Sequence, residues 1–96
     1  MPEMYFEVQL PDGRSERCYS PSLIVRELLV EGAEYPNYEF MARTRAALTI
    51  ASERVRTKYG FYCSAAMDQL NRLEQLSASL EPNAPIRVVS FADKGK

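Results

Sequence analysis

Apolar and polar residues alternate near the start of the chain: Met4, Phe6, Val8 and Leu10 are separated by Tyr5, Glu7 and Gln9. That period of two gives a strand one buried face. Pro11-Asp12-Gly13 comes next. Proline presets the first turn angle, aspartate suits the second and glycine accepts a positive φ, so the spacing predicts a type I turn closed by a G1 bulge. In that hairpin Leu10 faces Arg14, Phe6 faces Cys18, Glu7 faces Arg17 and Tyr5 faces Tyr19. The register sets an ion pair and an aromatic pair on one face, each worth ~0.2–1 kcal/mol, and sends Cys18 to the apolar face. A two-residue loop would put Arg17 opposite Val8, so the bulged form is preferred.

The pattern then changes to helical spacing. Ser20-Pro21 reads as an N-cap followed by proline at the first helical position. It predicts a short helix from Pro21 to about Val30 that buries Ile24, Val25, Leu28 and Leu29 and ends at Gly32. Glu34-Tyr35-Pro36 reads as a connector. A long helix is predicted from Asn37 to Tyr59, with Phe40, Ala47, Leu48, Ala51, Val55 and Tyr59 as its apolar stripe and Gly60 as its stop. Ser64 can cap a third helix ending near Leu80, with Ala66, Leu70, Leu73 and Leu80 inward. Glu81-Pro82-Asn83-Ala84-Pro85 breaks it and leads to a last strand from Ile86 to Phe91.

The predicted order is β-β-α-α-α-β, an α+β fold with a three-stranded sheet covered on one face by helices. The last strand is expected beside the first, because the second is short, polar and suited to an edge. Residues 1–91 form the expected domain and 92–96 a polar, flexible tail.

Composition narrows the function more than it defines it. Twelve basic against thirteen acidic residues give a net charge of -1, so no long-range field gathers nucleic acid or anionic membrane. No apolar run approaches the ~20 residues of a membrane span. Met1-Pro2-Glu3 is acidic and unlike a signal peptide, which makes a cytoplasmic location and two reduced cysteines the expectation. Histidine is absent and cysteine occurs twice. Cys-His and Ser-His pairs and an intrachain structural zinc site are thereby excluded. The four glycines stand singly, so no phosphate-cradling loop is present and neither metal nor cofactor is expected.

Three groups of side chains remain as candidates. Cys63 stands just before or at the start of the third predicted helix, where the dipole lowers a thiol pKa; a free cysteine is more often a small buried hydrophobe. Arg43, Arg45, Arg54 and Arg56 give the long helix a basic face for an anion or acidic partner, or simply a solvated surface. Tyr5 and Tyr19 fall on the sheet face away from the helices, and the last strand adds an apolar pair there whichever of its faces is buried, Ile86 with Val88 or Val89 with Phe91; Val89 and Phe91 are the interface candidates, with Glu7, Arg17 and Arg87 as a polar rim. A contiguous apolar patch of that kind is seldom left bare, so a homodimer through this face is expected.

Several strings taken together, Glu16-Arg17-Cys18-Tyr19-Ser20-Pro21-Ser22, Ala51-Ser52-Glu53-Arg54-Val55-Arg56, Lys58-Tyr59-Gly60-Phe61, Cys63-Ser64 and Asp68-Gln69-Leu70, carry a resemblance. With the opening Met1-Pro2-Glu3-Met4-Tyr5-Phe6, the chain resembles the small nitrogen-starvation-response family encoded in bacterial nitrilase gene clusters, over roughly residues 1–91. The resemblance implies a setting: a nitrilase, a radical-SAM-like protein, an acetyltransferase-like protein, an aminoimidazole-ribonucleotide-synthase-like protein and a flavin oxidoreductase, linked to nitrogen scavenging from nitriles or cyanide. The family has no assigned activity, so no catalytic residue carries over. A non-catalytic accessory protein for those enzymes is the reading preferred, and a small thiol-dependent enzyme or carrier using Cys63 is the alternative.

Overall fold

The computed structural model describes residues 3–60 and 64–93, and its opening hairpin has the expected register. Strand β1 runs Met4–Gln9 and β2 runs Ser15–Ser20, with Tyr5 opposite Tyr19, Phe6 opposite Cys18 and Glu7 opposite Arg17. The Leu10 N–H donates to the Arg14 carbonyl at 2.7 Å and the Gly13 N–H to the Leu10 carbonyl at 2.9 Å. Gly13 has φ 96°, a conformation open to glycine because it has no Cβ. The Asp12 carboxylate locks the turn, accepting from the Arg14 backbone N–H at 3.0 Å and from Arg14 Nε at 2.6 Å. Those bonds, the backbone one foremost, hold the Asp12 carboxyl below its ordinary pKa.

The next segment is not the ten-residue helix that Ser20-Pro21 predicts. Helix α1 spans only Val25–Leu28. Ser20 Oγ donates to the Ser22 carbonyl at 2.7 Å and accepts from the Ser22 N–H at 3.3 Å, and Ser22 Oγ accepts from the Ile24 N–H at 3.4 Å. Short hydroxyls that serve the backbone locally compete with helix formation. Leu29 is already extended, with φ −122° and ψ 144°. The apolar residues keep their expected roles even so: Ile24, Val25 and Leu29 are buried, and Leu28 packs against the core.

Glu34-Tyr35-Pro36 pairs rather than connects, which corrects the three-stranded sheet. Strand β3 (Glu34–Pro36) lies antiparallel to β4 (Pro85–Asp93), with Tyr35 opposite Ile86. Gly32 N–H to Val88 O at 2.7 Å and Val88 N–H to Ala33 O at 2.8 Å continue the pairing. Over the described residues the sheet therefore has four strands in the order β2-β1-β4-β3, with β4 beside β1. Three residues ending in proline are too few to show a period. Proline is tolerated there because β3 is an edge.

Helix α2 spans Asn37–Tyr59 and α3 spans Ser64–Ala78. The first N–H groups of a helix lack internal partners. In α2, Asn37 donates to the Ala84 carbonyl at 2.8 Å and Tyr38 to the Pro82 carbonyl at 3.0 Å, so the approach to β4 caps the helix. Gly60, at φ 85°, closes it by donating to the Arg56 carbonyl at 2.7 Å. The buried stripe includes Phe40, Ala47, Leu48, Ala51 and Val55 as expected and adds Met41, Thr44 and Ser52. Tyr59 is a correction, since it is 51% exposed. In α3, Ala66, Leu70 and Leu73 are buried, while Leu80 lies beyond its end and packs partly against the core.

Both long helices cover the face of the sheet that carries Met4, Phe6, Val8, Cys18, Ile86 and Val88. On β4 the alternation is interrupted. Val8 opposes Val88 but Glu7 opposes Ser90, so Val89 is an extra residue in a bulge. A bulge re-aims the side chains beyond it. Phe91 therefore faces Phe6 and packs on the core, which corrects its placement on the open face. The strand continues past Phe91 to Asp93.

Candidate functional site: the helix-free sheet face

The outward positions of β1 and β2 bring together the side chains that their pairing register predicts. The Tyr5 and Tyr19 rings meet edge to face, with centroids 5.8 Å apart at 62°. Arg17 lays its guanidinium carbon 4.1 Å from the centre of the Tyr5 ring, a cation–π contact worth about 0.5–1 kcal/mol at an exposed site. The Tyr19 hydroxyl and Glu3 Oε1 are 3.1 Å apart. These contacts hold two aromatic rings and a guanidinium in fixed relative positions.

Beside them is a depression of about 200 Å³ lined by Tyr5, Phe6, Glu7, Arg17, Ser90 and Ala92. Sequence reasoning misses Ser90 and Ala92 because the bulge at Val89 reverses the parity of the strand after it; no local pattern announces that reversal. Val89 remains exposed at 39%. The face thus offers aromatic surface beside the Arg17 guanidinium and the Glu3 and Glu7 carboxylates. Such a set can bind an apolar surface rimmed by charges of both signs.

A protein-family model described as nitrogen starvation-induced protein NitG matches residues 5–91. The chain belongs to that family. The match begins at Tyr5 and ends at Phe91, so the family region contains the paired strands and both long helices. No curated protein and no solved structure matches the chain.

The four arginines singled out on α2 divide between two flanks of the helix. Arg43 donates from Nε to Glu39 at 3.0 Å and from Nη1 to the Leu28 carbonyl at 2.9 Å, and it lies 4.9 Å from the Tyr35 ring centre. Arg54 donates from Nη1 to Ser22 Oγ at 3.0 Å. Both fasten α2 to the segment between β2 and β3. Arg45 instead reaches Glu74 on α3 at 3.0 Å, and Arg56 approaches Glu53 one turn back at 3.7 Å. Residues eleven apart share a helix face after about three turns, which is why Arg43 pairs with Arg54 and Arg45 with Arg56.

Cys18 is a buried free thiol, and burial foremost, with the Glu16 charge second, pushes its pKa well above the ordinary cysteine value. It is a core residue. Cys63 lies outside the described residues. Among the described residues no group of three or more His, Cys, Asp or Glu could hold a metal ion, and no helix is long and apolar enough to cross a membrane.

Proposed function

We propose that the chain is a non-catalytic interaction protein of the nitrogen-starvation response, acting in the cytoplasm as a homodimer and serving the enzymes of a nitrilase-linked scavenging system. The observation that carries this reading is the helix-free face, where Tyr5, Tyr19 and Val89 present apolar surface beside Glu7 and Arg17. A two-fold axis uses one patch twice. With a carboxylate and a guanidinium on neighbouring strands, one copy can set Glu7 against Arg17 of the other in both directions at once. The nitrilase link rests on the sequence resemblance and the response on family membership.

Sedimentation equilibrium across micromolar concentrations tests the assembly. The wild type is expected at twice the 10.9 kDa chain mass. Arg17→Glu is expected to weaken association about tenfold or more, and adding Glu7→Arg to restore it, because swapped charges again complement each other. A wild type that stays monomeric ends the dimer reading. Binding to the purified nitrilase encoded in the same cluster, followed on a biosensor, tests the accessory role; no saturable response up to about 100 μM, a concentration that corresponds to only ~5.5 kcal/mol of affinity, argues against that enzyme as its partner.

A further inference from the structure

The hairpin register and the bulge in β4 together build a small recess on the open sheet face. The Tyr19 N–H turns away from β1 and donates to Gln69 Oε1 of α3 at 3.0 Å. Residues of that parity form the non-hydrogen-bonded pairs of the hairpin, so Glu7 and Arg17, directly opposite each other, have Cβ atoms only about 4.5–5.5 Å apart. Across β1 the bulge sets Ser90 beside Glu7 and Ala92 beside Tyr5. Two small side chains next to two large ones leave the depression of about 200 Å³.

Arg17 leans diagonally to the Tyr5 ring, 4.1 Å from its centre, although Glu7 is its direct cross-strand neighbour. A guanidinium held over a ring still presents a planar fork of N–H donors that fits a carboxylate. The two opposite charges in the recess select their ligand by sign. An anion with no cationic group meets the Glu7 carboxylate, and a cation with no anionic group meets Arg17, so attraction and repulsion nearly cancel for either. A molecule that carries both charges a few bonds apart satisfies both walls. Size sets the second limit. A cavity of about 150 Å³ accommodates benzene, so a recess of about 200 Å³ has room for a zwitterion with a short aliphatic side chain laid against Tyr5 and Ala92.

We infer that the recess binds a small zwitterion of the free amino-acid kind, its carboxylate on Arg17, its ammonium on Glu7 and its side chain against Tyr5, and that the bound molecule opposes the two-fold contact proposed above, which uses the same two charges. The second half rests on the dimer reading and the first does not. Arg17 is exposed and Glu7 half-buried, and an ion pair in such a setting is weak. Binding is therefore expected in the millimolar range, and selectivity rather than affinity identifies the site.

The test is two-dimensional NMR of the full chain titrated at fixed pH with L-leucine, N-acetyl-L-leucine, which lacks the ammonium, and L-leucinamide, which lacks the carboxylate. Leucine is expected to move the Glu7, Arg17 and Ser90 amide signals along saturable curves, and each blocked form to bind about fivefold more weakly, the equivalent of one exposed ion pair of ~1 kcal/mol. Glu7→Gln should abolish the preference for leucine over N-acetyl-leucine, and Arg17→Gln the preference over leucinamide. Arg45→Gln, on α2, should change neither. Sedimentation equilibrium reads the second half: saturating leucine is expected to shift the wild type toward the 10.9 kDa of one chain, and N-acetyl-leucine is not. A chain that is monomeric without leucine ends the dimer reading, and with it the competition, while the titration still decides the site. The site is overturned if tens of millimolar leucine leave Glu7 and Arg17 unmoved, or if both blocked forms bind as well as leucine; a dimer that persists at saturating leucine overturns the competition.

Discussion

Phe91 lies opposite Phe6 on the helix-covered side of the sheet, whereas Val89, two residues earlier on the same strand, remains 39% exposed. Residues two apart on an uninterrupted strand point the same way; the bulge at Val89 separates them. Phe91→Glu therefore sets a carboxylate against Phe6, and even with Arg26 near the ring, at 6.0 Å from its centre, it should cost about 2–3 kcal/mol. Val89→Glu should stay within about 0.5 kcal/mol in the monomer. Thermal melts at low protein concentration compare the two. Equal melting temperatures would show that the bulge does not turn Phe91 inward.

Leu48 and Arg45 test the orientation of α2. Leu48 is fully buried in the core, so Leu48→Asp places an unpaired charge there and should leave the domain unfolded at room temperature, a loss of more than about 4 kcal/mol. Arg45 pairs with Glu74 at 3.0 Å, but its side chain is 53% exposed, and a surface pair contributes only about 0–1 kcal/mol. Arg45→Ala should melt close to the wild type. Circular dichroism of both variants decides, and a folded Leu48→Asp would mean the stripe is drawn on the wrong side.

The legibility of each element in the sequence was set by how many residues its signal spans. The hairpin register comes from one loop, Pro11-Asp12-Gly13, whose geometry fixes every pair after it, and α2 from a 23-residue pattern ending in a glycine. The failures are short-range or non-local. Glu34-Tyr35-Pro36 becomes a strand only because Ile86 lies beside it, and Ser20-Pro21 fails to start a full helix because Ser20 and Ser22 satisfy the backbone themselves. The candidate face was half legible for the same reason. Tyr5, Glu7, Arg17 and Tyr19 come from the hairpin register, but Ser90 and Ala92 depend on a bulge that pairing creates.

Asn37 holds the end of α3 to the start of α2. Its Nδ2 donates to the Ser77 carbonyl at 3.1 Å and the Glu81 carbonyl at 3.3 Å, while its Oδ1 accepts from Ser77 Oγ at 2.8 Å. The residue is buried, so Asn37→Ala removes three bonds, at a cost of about 2–3 kcal/mol, although the Ser77 and Glu81 carbonyls keep the backbone N–H groups of Leu80 and Ala84. Asn37→Asp should be at least as damaging, because a carboxylate then faces two carbonyl oxygens. Urea denaturation is the check. A lower midpoint with unchanged slope is expected, and a midpoint equal to that of the wild type would assign the contact no stabilising role.

Cys18 should make stability fall on the alkaline side. Its folded pKa is raised by burial, so the neutral thiol is the form that the core accepts. Below the unfolded value of about 8.5 the thiol is protonated in both states and contributes no slope. Above it, the unfolded chain releases a proton that the folded chain keeps, and stability declines by up to about 1.4 kcal/mol per pH unit until the folded thiol also ionises. Cys18→Ala removes this proton from the balance at the cost of a small cavity. Urea midpoints from pH 7 to 10 should therefore converge, the wild type losing more stability than the variant as pH rises. Native iodoacetamide labelling gives a second measurement: at pH 8 Cys18 should resist modification until the protein is unfolded. Rapid native alkylation at Cys18, or parallel pH profiles for the two proteins, would show that its sulfur is not sealed between Phe6 and the helices.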